Sequence, residues 1–175
     1  MDITVTRAVQ ADALDIGIIG PAAYAIHYFE DWTNDPAAFA RQLATFGSDA
    51  VSDTLKRPEA RVWIARADGV AIGFLTMIVG SLEPIEHTPN GAELPRIYLL
   101  SGATGGGVGR KLLAAAEAQA KSEGVAYLWL DVMEHAHWAR AAYARWGFLD
   151  IGAQAFPRKL TGGRGNMRVL RKDLV

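Results

Sequence analysis

The chain has 175 residues, 50% of them hydrophobic, which is enough to fill the core of one domain. Eighteen Lys and Arg stand against 19 Asp and Glu, for a formal net charge of −1, so no general attraction draws the chain to nucleic acid or to an anionic membrane. The absence of cysteine excludes disulfides, a thiolate nucleophile and a Cys-based zinc site, and the four His are not spaced as metal ligands, so no metal is expected.

Ile3 to Ala8 alternate apolar and polar residues as a short strand does, and Gln10-Ala11-Asp12 opens a helix that continues to about Phe29. From Asp35-Pro36 to Lys56 the apolar residues recur at helical spacing, with an interruption at Gly47-Ser48-Asp49 that predicts two short helices. Arg61–Ala67 and Ala71–Ser81 are rich in Val, Ile, Trp and Phe, and Asp68-Gly69 between them is a hairpin signal. A polar connection containing Pro84 and Pro89 leads to a strand over Ile97–Leu100, which runs at once into glycines from Gly102 to Gly109.

The helix that follows, Arg110 to about Lys121, is full of Leu, Ala, Glu and Lys and stops at Gly124. Ala126–Val132 reads as a compact strand, Ala136–Arg145 as a short helix ended by Gly147. Two extended segments, Phe148–Phe156 and Met167–Leu174, flank a loop containing Gly162-Gly163-Arg164-Gly165. The order of strands and helices predicts an α/β fold, with no repeat, no linker and a single domain over residues 1–175. No segment approaches the ~20 apolar residues that cross a bilayer, and the N-terminus lacks a basic-then-apolar leader; a cytoplasmic location is expected.

A strand that passes through glycines into a helix aims several backbone N–H groups, and the positive end of the helix dipole, at one spot suited to an anion. Glycine costs about 0.5–1 kcal/mol of conformational entropy per residue, so Gly105-Gly106-Gly107-Val108-Gly109 is expensive as a mere connection. An unliganded tight turn remains the alternative on the glycines alone. No Gly-Lys-Ser/Thr ending is present and the dinucleotide spacing is not met.

Thr104-Gly105-Gly106-Gly107-Val108-Gly109 resembles the acetyl-CoA pyrophosphate loop of the GNAT superfamily of N-acetyltransferases. Ala139, Tyr143, Gly147 and Phe148 stand at the spacing of that family's signature, and the order of elements along nearly the whole chain matches it. Glu93-Leu94-Pro95-Arg96-Ile97-Tyr98, Trp129-Leu130-Asp131-Val132 and Gly152-Ala153-Gln154-Ala155-Phe156 look most similar to bacterial spermidine/spermine N-acetyltransferase-like members. The resemblance implies an α/β (α+β) GNAT fold: a central mixed, mostly antiparallel seven-stranded sheet flanked by helices and splayed between its fourth and fifth strands. It also implies acetyl-CoA as cosubstrate and direct acetyl transfer to a primary amine, on a small molecule, a polyamine or a peptide.

On that resemblance Tyr143 is the general acid that protonates the departing thiolate, since a phenol with an ordinary pKa near 10 is protonated at neutral pH. Packing alone would make it an aromatic of the core. An alkylammonium must lose its proton before attack, and Glu93 and Asp131 are two candidate bases of nearly equal standing, each of which could instead be a solvated carboxylate. His135 and His137, at the entry to the last helix, fit a capping or surface role better. Backbone groups of Ile97, Tyr98 and Leu99 would pair with the pantetheine arm, and Gly105, Gly106, Gly107, Val108, Gly109 and Arg110 would hold the pyrophosphate, with Lys111 as a further charge. A backbone N–H of Leu99 or Leu100 would hold the carbonyl oxygen.

The acceptor is expected near Tyr24, His27, Tyr28, Glu30, Asp31, Glu83 and Glu86, whose carboxylates would suit a cationic amine. Two departures stand out: Thr104 replaces the Arg or Gln usual at the head of the loop, and Ala136 replaces an Asn that bonds the pantetheine in many members. They keep open a silent CoA-binding or partner-binding module, and a protein N-acetyltransferase differs from the first reading only in acceptor. A homodimer is permitted by the five Trp and a sheet edge at the last strand.

Overall fold

A computed structural model of the chain describes residues 2–174. Its elements are β1 (Ile3–Arg7), α1 (Ala13–Tyr28), α2 (Pro36–Ala44), α3 (Ser48–Lys56), β2 (Ala60–Ala67), β3 (Val70–Val79), β4 (Gly91–Leu99), α4 (Val108–Ser122), β5 (Tyr127–Met133), α5 (His137–Arg145), β6 (Leu149–Ala155) and β7 (Asn166–Asp173). The strands form one seven-stranded sheet in the order β1-β2-β3-β4-β5-β7-β6. Two compact units divide the chain: Met1–Met77 with Arg96–Ala116, and Ile78–Pro95 with Glu117–Val175. The divisions fall inside β3, β4 and α4, elements that are continuous in the chain. Among the described residues no helix is long and apolar enough to cross a membrane.

In the first unit β1 runs antiparallel to β2, from Ile3 opposite Ala67 to Arg7 opposite Trp63. Asp68 (φ 48°) and Gly69 (φ 85°) close the β2–β3 turn with the two left-handed residues that a two-residue hairpin needs. Asp12 does more than start a helix: its carboxylate accepts the Val9 N–H at 2.8 Å and the Arg66 guanidinium at 2.5 Å, tying the chain entering α1 to β2. Ile16 and Ile19 of α1 meet Val62, Ile64 and Phe74 in a core in which each is at most 3% exposed. α1 lies so close to α3 that a Cβ at Gly17 would sit 2.4 Å from the Ser48 backbone nitrogen. α2 starts as predicted, with Asp35 accepting the Ala38 N–H at 2.8 Å ahead of Pro36.

In the second unit β5 pairs antiparallel with β7, from Tyr127 opposite Asp173 to Met133 opposite Met167, and β7 with β6 across a bulge between Asp150 and Gly152. β4 and β5 are parallel over Gly91, Ala92 and Glu93 against Tyr127, Leu128 and Trp129, the point at which the sheet splays. Pro95 follows two residues on and has no N–H to extend a ladder. The same proline explains a correction to the sequence reading: β4 starts at Gly91 and not at Ile97, because a proline and short polar residues mask a strand paired at its first turn. α4 likewise starts at Val108, two residues before Arg110.

Candidate functional site

In the first unit, Thr104 to Gly107 are exposed and Val108 is buried as α4 begins. Gly105 (φ 82°) and Gly107 (φ 77°) occupy the left-handed region, where other residues are strained. A Cβ at Gly105, Gly106 or Gly107 would meet no protein atom within 4 Å. The turn is therefore not filled by the protein, and its open side lies at the first turn of a helix whose leading N–H groups lack intrahelical acceptors. Open space beside such N–H groups can take an anion. The Lys111 Nζ donates to the carbonyl of Ile3 at 3.3 Å, and the exposed Arg110 stays at the helix start.

Ahead of the turn, Leu100 N–H donates to the carbonyl of Ile72 at 2.9 Å. Backbone groups alternate sides along a strand, so Leu100 and Tyr98 are turned to β3, and Ile97 and Leu99 present theirs on the opposite edge. Of the two proposed holders of the carbonyl oxygen, Leu99 keeps its N–H available and Leu100 does not. The Tyr98 side chain is half-buried in an aromatic cluster, 5.3 Å from the Phe46 ring and 6.0 Å from Phe74.

Several residues expected near an acceptor belong to this cluster instead. Tyr24 and Tyr28 are 8% exposed and Asp31 is 2%; the Tyr24 and Tyr28 rings stand 4.9 Å apart, and Trp32 Nε1 donates to the Tyr24 hydroxyl at 3.1 Å. Burial first, and the Asp31 charge among lesser causes, push the Tyr24 phenol upward. Arg96, which the sequence reading passed over, lays its guanidinium 3.7 Å above the Phe46 ring and reaches the Thr45 carbonyl at 3.4 Å.

The second unit holds all three proposed catalytic residues. Neighbours in register point to one side of a sheet, as do residues two apart on a strand. Glu93, opposite Trp129, and Asp131, two residues beyond it, therefore share a face. Gln154 of β6 donates to Asp131 Oδ2 at 2.7 Å. Burial raises the Asp131 pKa above its ordinary value despite the opposing bond from Gln154. Glu93 Oε2 accepts from the Ser81 hydroxyl at 3.1 Å.

Tyr143, half-buried on α5, packs its ring 5.7 Å from Trp146 and 5.8 Å from Phe148. Burial, and after it the Asp131 charge, drive its phenol far above the ordinary value. The phenol thus feels the Asp131 charge, and burial shifts each group toward its protonated form. At the start of α5 the N-cap is Ala136, buried, with no side-chain bond; His137 is exposed, in keeping with the surface role expected of it. Glu83, expected to face an acceptor, is 0% exposed.

The sheet order, with a parallel β4–β5 pair and a glycine turn leading into α4, is the architecture of an acyltransferase fold. A sequence model described as the Acetyltransferase (GNAT) family matches residues 24–148, and the chain belongs to that family, whose acetyl donor is acetyl-CoA. It is 30% identical over 143 residues to an uncharacterized N-acetyltransferase in the pepI 3′ region of Lactobacillus delbrueckii subsp. lactis, spanning 81% of this chain and 82% of that one. The fold is similar to that of the PaiA N-acetyltransferase from Thermoplasma acidophilum solved with coenzyme A (TM-score 0.78, 18% identity, 99% of each chain). It is also similar to the ribosomal-protein-S18-alanine N-acetyltransferase from Escherichia coli (TM-score 0.73, 18% identity, 99% of this chain and 94% of that one).

Proposed function

We propose that this acetyltransferase acts directly on a primary amine, with Tyr143 as general acid and Asp131 as the base, and that its acceptor is a small amine of the polyamine kind. The observation that carries the reading is that Asp131, held by Gln154 at 2.7 Å on the face it shares with Glu93, and Tyr143 lie in one compact unit, with burial holding both groups toward protonation. Bound acetyl-CoA supplies an acetyl thioester; the amine forms the new C–N bond as the C–S bond breaks. Asp131 accepts the ammonium proton directly or through water. The phenol of Tyr143, fully protonated at neutral pH, delivers one to sulfur. The second N–H proton, shed as the amide forms, restores the phenol, and the proton held by Asp131 passes to solvent.

A raised pKa makes Asp131 a stronger base than an ordinary aspartate, which favours it over Glu93, and Glu93 with Ser81 is the second proton acceptor on the same face. The glycine turn supports pyrophosphate binding by Gly105 to Arg110, with Ile97 and Leu99 for the pantetheine. That the divisions between compact units cut continuous elements supports one domain. A cytoplasmic protein fits these parts.

The test is acceptor profiling by mass shift, with acetyl-CoA and a panel of spermidine, benzylamine and an alanine-terminated hexapeptide. The reading expects the acetylated small amines, with Tyr143→Phe turning over roughly 10²-fold more slowly at unchanged acetyl-CoA affinity. Acetylation of the peptide alone would assign a protein acceptor. No product on any amine would leave a silent binding module, and undiminished turnover in Tyr143→Phe would remove that residue from the chemistry.

A further inference from the structure

The connection between β3 and β4, residues 80–90, contains no helix, yet it is fixed from within. Glu83 is its pivot. The side chain is wholly buried, and its carboxylate faces its own loop: Oε2 accepts the N–H groups of Ile85 at 2.8 Å and Glu86 at 2.7 Å, and Oε1 that of Thr88 at 2.9 Å. Charge-assisted bonds from several backbone donors are the strong kind, and together they dictate one loop shape.

The outside of the loop is fixed as well. The Tyr127 hydroxyl accepts from Glu83 N–H at 3.4 Å and donates to the carbonyl of Thr88. Arg171 lies 4.0 Å above the Tyr127 ring, donates to the Thr88 hydroxyl at 3.0 Å and pairs with Glu86 at 3.5 Å.

That shape determines two contacts with the proposed chemistry. Ser81 donates its hydroxyl to Glu93 and accepts Trp129 Nε1 at 2.9 Å on its carbonyl. Ile85 lies over Gly152 so closely that a Cβ there would be 2.9 Å from Ile85 Cδ1; two residues further along β6, Gln154 holds Asp131. One loop thus touches one carboxylate of the shared face directly and borders the strand that orients the other. Ile85 keeps 37% of its surface exposed, leaving an apolar wall beside these groups.

We infer that Glu83 is a positioning residue for the amine half of the reaction: its buried carboxylate freezes loop 80–90 so that Ser81 orients Glu93 and Ile85 walls the acceptor. The inference deepens the proposed amine acetylation and rests on it. It replaces direct recognition of an amine by Glu83, whose oxygens are engaged by the backbone.

Glu83→Gln keeps the volume but turns an amide N–H toward backbone N–H donors. Steady-state kinetics with spermidine and benzylamine, joined to amide hydrogen exchange, test the idea. Exchange at Ile85, Glu86 and Thr88 is expected to speed up at least tenfold. The kcat/KM for the amine should fall roughly tenfold or more, as misplacement of about an ångström does, with the KM for acetyl-CoA moving less than twofold. Should Glu83→Gln fail to fold, Ile85→Ala reads the same split through the wall alone. Faster loop exchange with unchanged amine kinetics, or unchanged amine KM in Ile85→Ala, overturns the positioning role while the wild type stays active. A wild type that acetylates neither amine overturns the proposed function first, before any variant is compared.

Discussion

Asp131 is the residue at which the proposed chemistry carries a cost in stability. Its carboxylate lies on β5 with Gln154 as its bonded partner, and burial raises its folded pKa above 3.8. A raised carboxylate pKa means that the folded state binds the proton better than the unfolded chain does. Ionisation therefore costs stability at every pH above the folded pKa, and the cost fades as pH falls through it. Asp131→Asn keeps the shape and an oxygen for Gln154 while removing the charge. We expect its Tm at pH 7–8 to exceed that of the wild type by roughly 2–4 °C, a change typical of 1 kcal/mol in a domain of this size. The gain should shrink toward zero in acid, and acetyl transfer should drop. A lower Tm at neutral pH would show that the ionised form is held favourably and that Asp131 is no strained base. Scanning calorimetry across pH decides it.

Candidates of this sort come from resemblance and spacing alone, as Tyr143 and Asp131 do. Nothing in the chain near Asp131 points to Gln154, which lies 23 residues away and reaches it only through the β5–β7–β6 order. Glu83 was misread for a related reason. A carboxylate two residues after a strand looks solvated, and only the folded loop shows that its acceptors are its own backbone.

At the scale of elements, helices and hairpin were readable because their signals are local: Asp35-Pro36 at a helix start, Asp68-Gly69 at a turn. β4 was not, because Pro95 looks like a break and the pairing that makes the preceding residues a strand comes from β5, more than thirty residues later. The α1–α3 contact is also invisible in sequence and makes a sharp prediction. In an isolated helix, alanine is preferred to glycine by about 1 kcal/mol. At Gly17 the new Cβ would stand 2.4 Å from the nitrogen and 2.7 Å from the Cα of Ser48, backbone atoms that cannot rotate aside. Overpacking of this kind costs typically 1–3 kcal/mol, so the clash outweighs the propensity. Gly17→Ala should lower the urea midpoint by the equivalent of about 1 kcal/mol net; an unchanged or higher midpoint would mean that α1 and α3 pack less closely than described.

For the whole molecule, the order of elements and the family assignment were present in the sequence, since a glycine turn between strand and helix and the Ala139–Phe148 signature fall in the sequence that the family shares. What the sequence could not provide was whether the turn stays open. Gly106 offers the cleanest probe of that property. Its φ is outside the left-handed region and a Cβ there meets nothing, so alanine carries no strain in the protein itself and stability should hold within about a degree. A methyl at that point would, however, stand between the backbone donors and a bound pyrophosphate. Titration calorimetry of acetyl-CoA into wild type and Gly106→Ala is the direct measurement: the account predicts saturable binding that weakens at least tenfold, about 1.4 kcal/mol, in the variant, and equal affinity in the two proteins would contradict it.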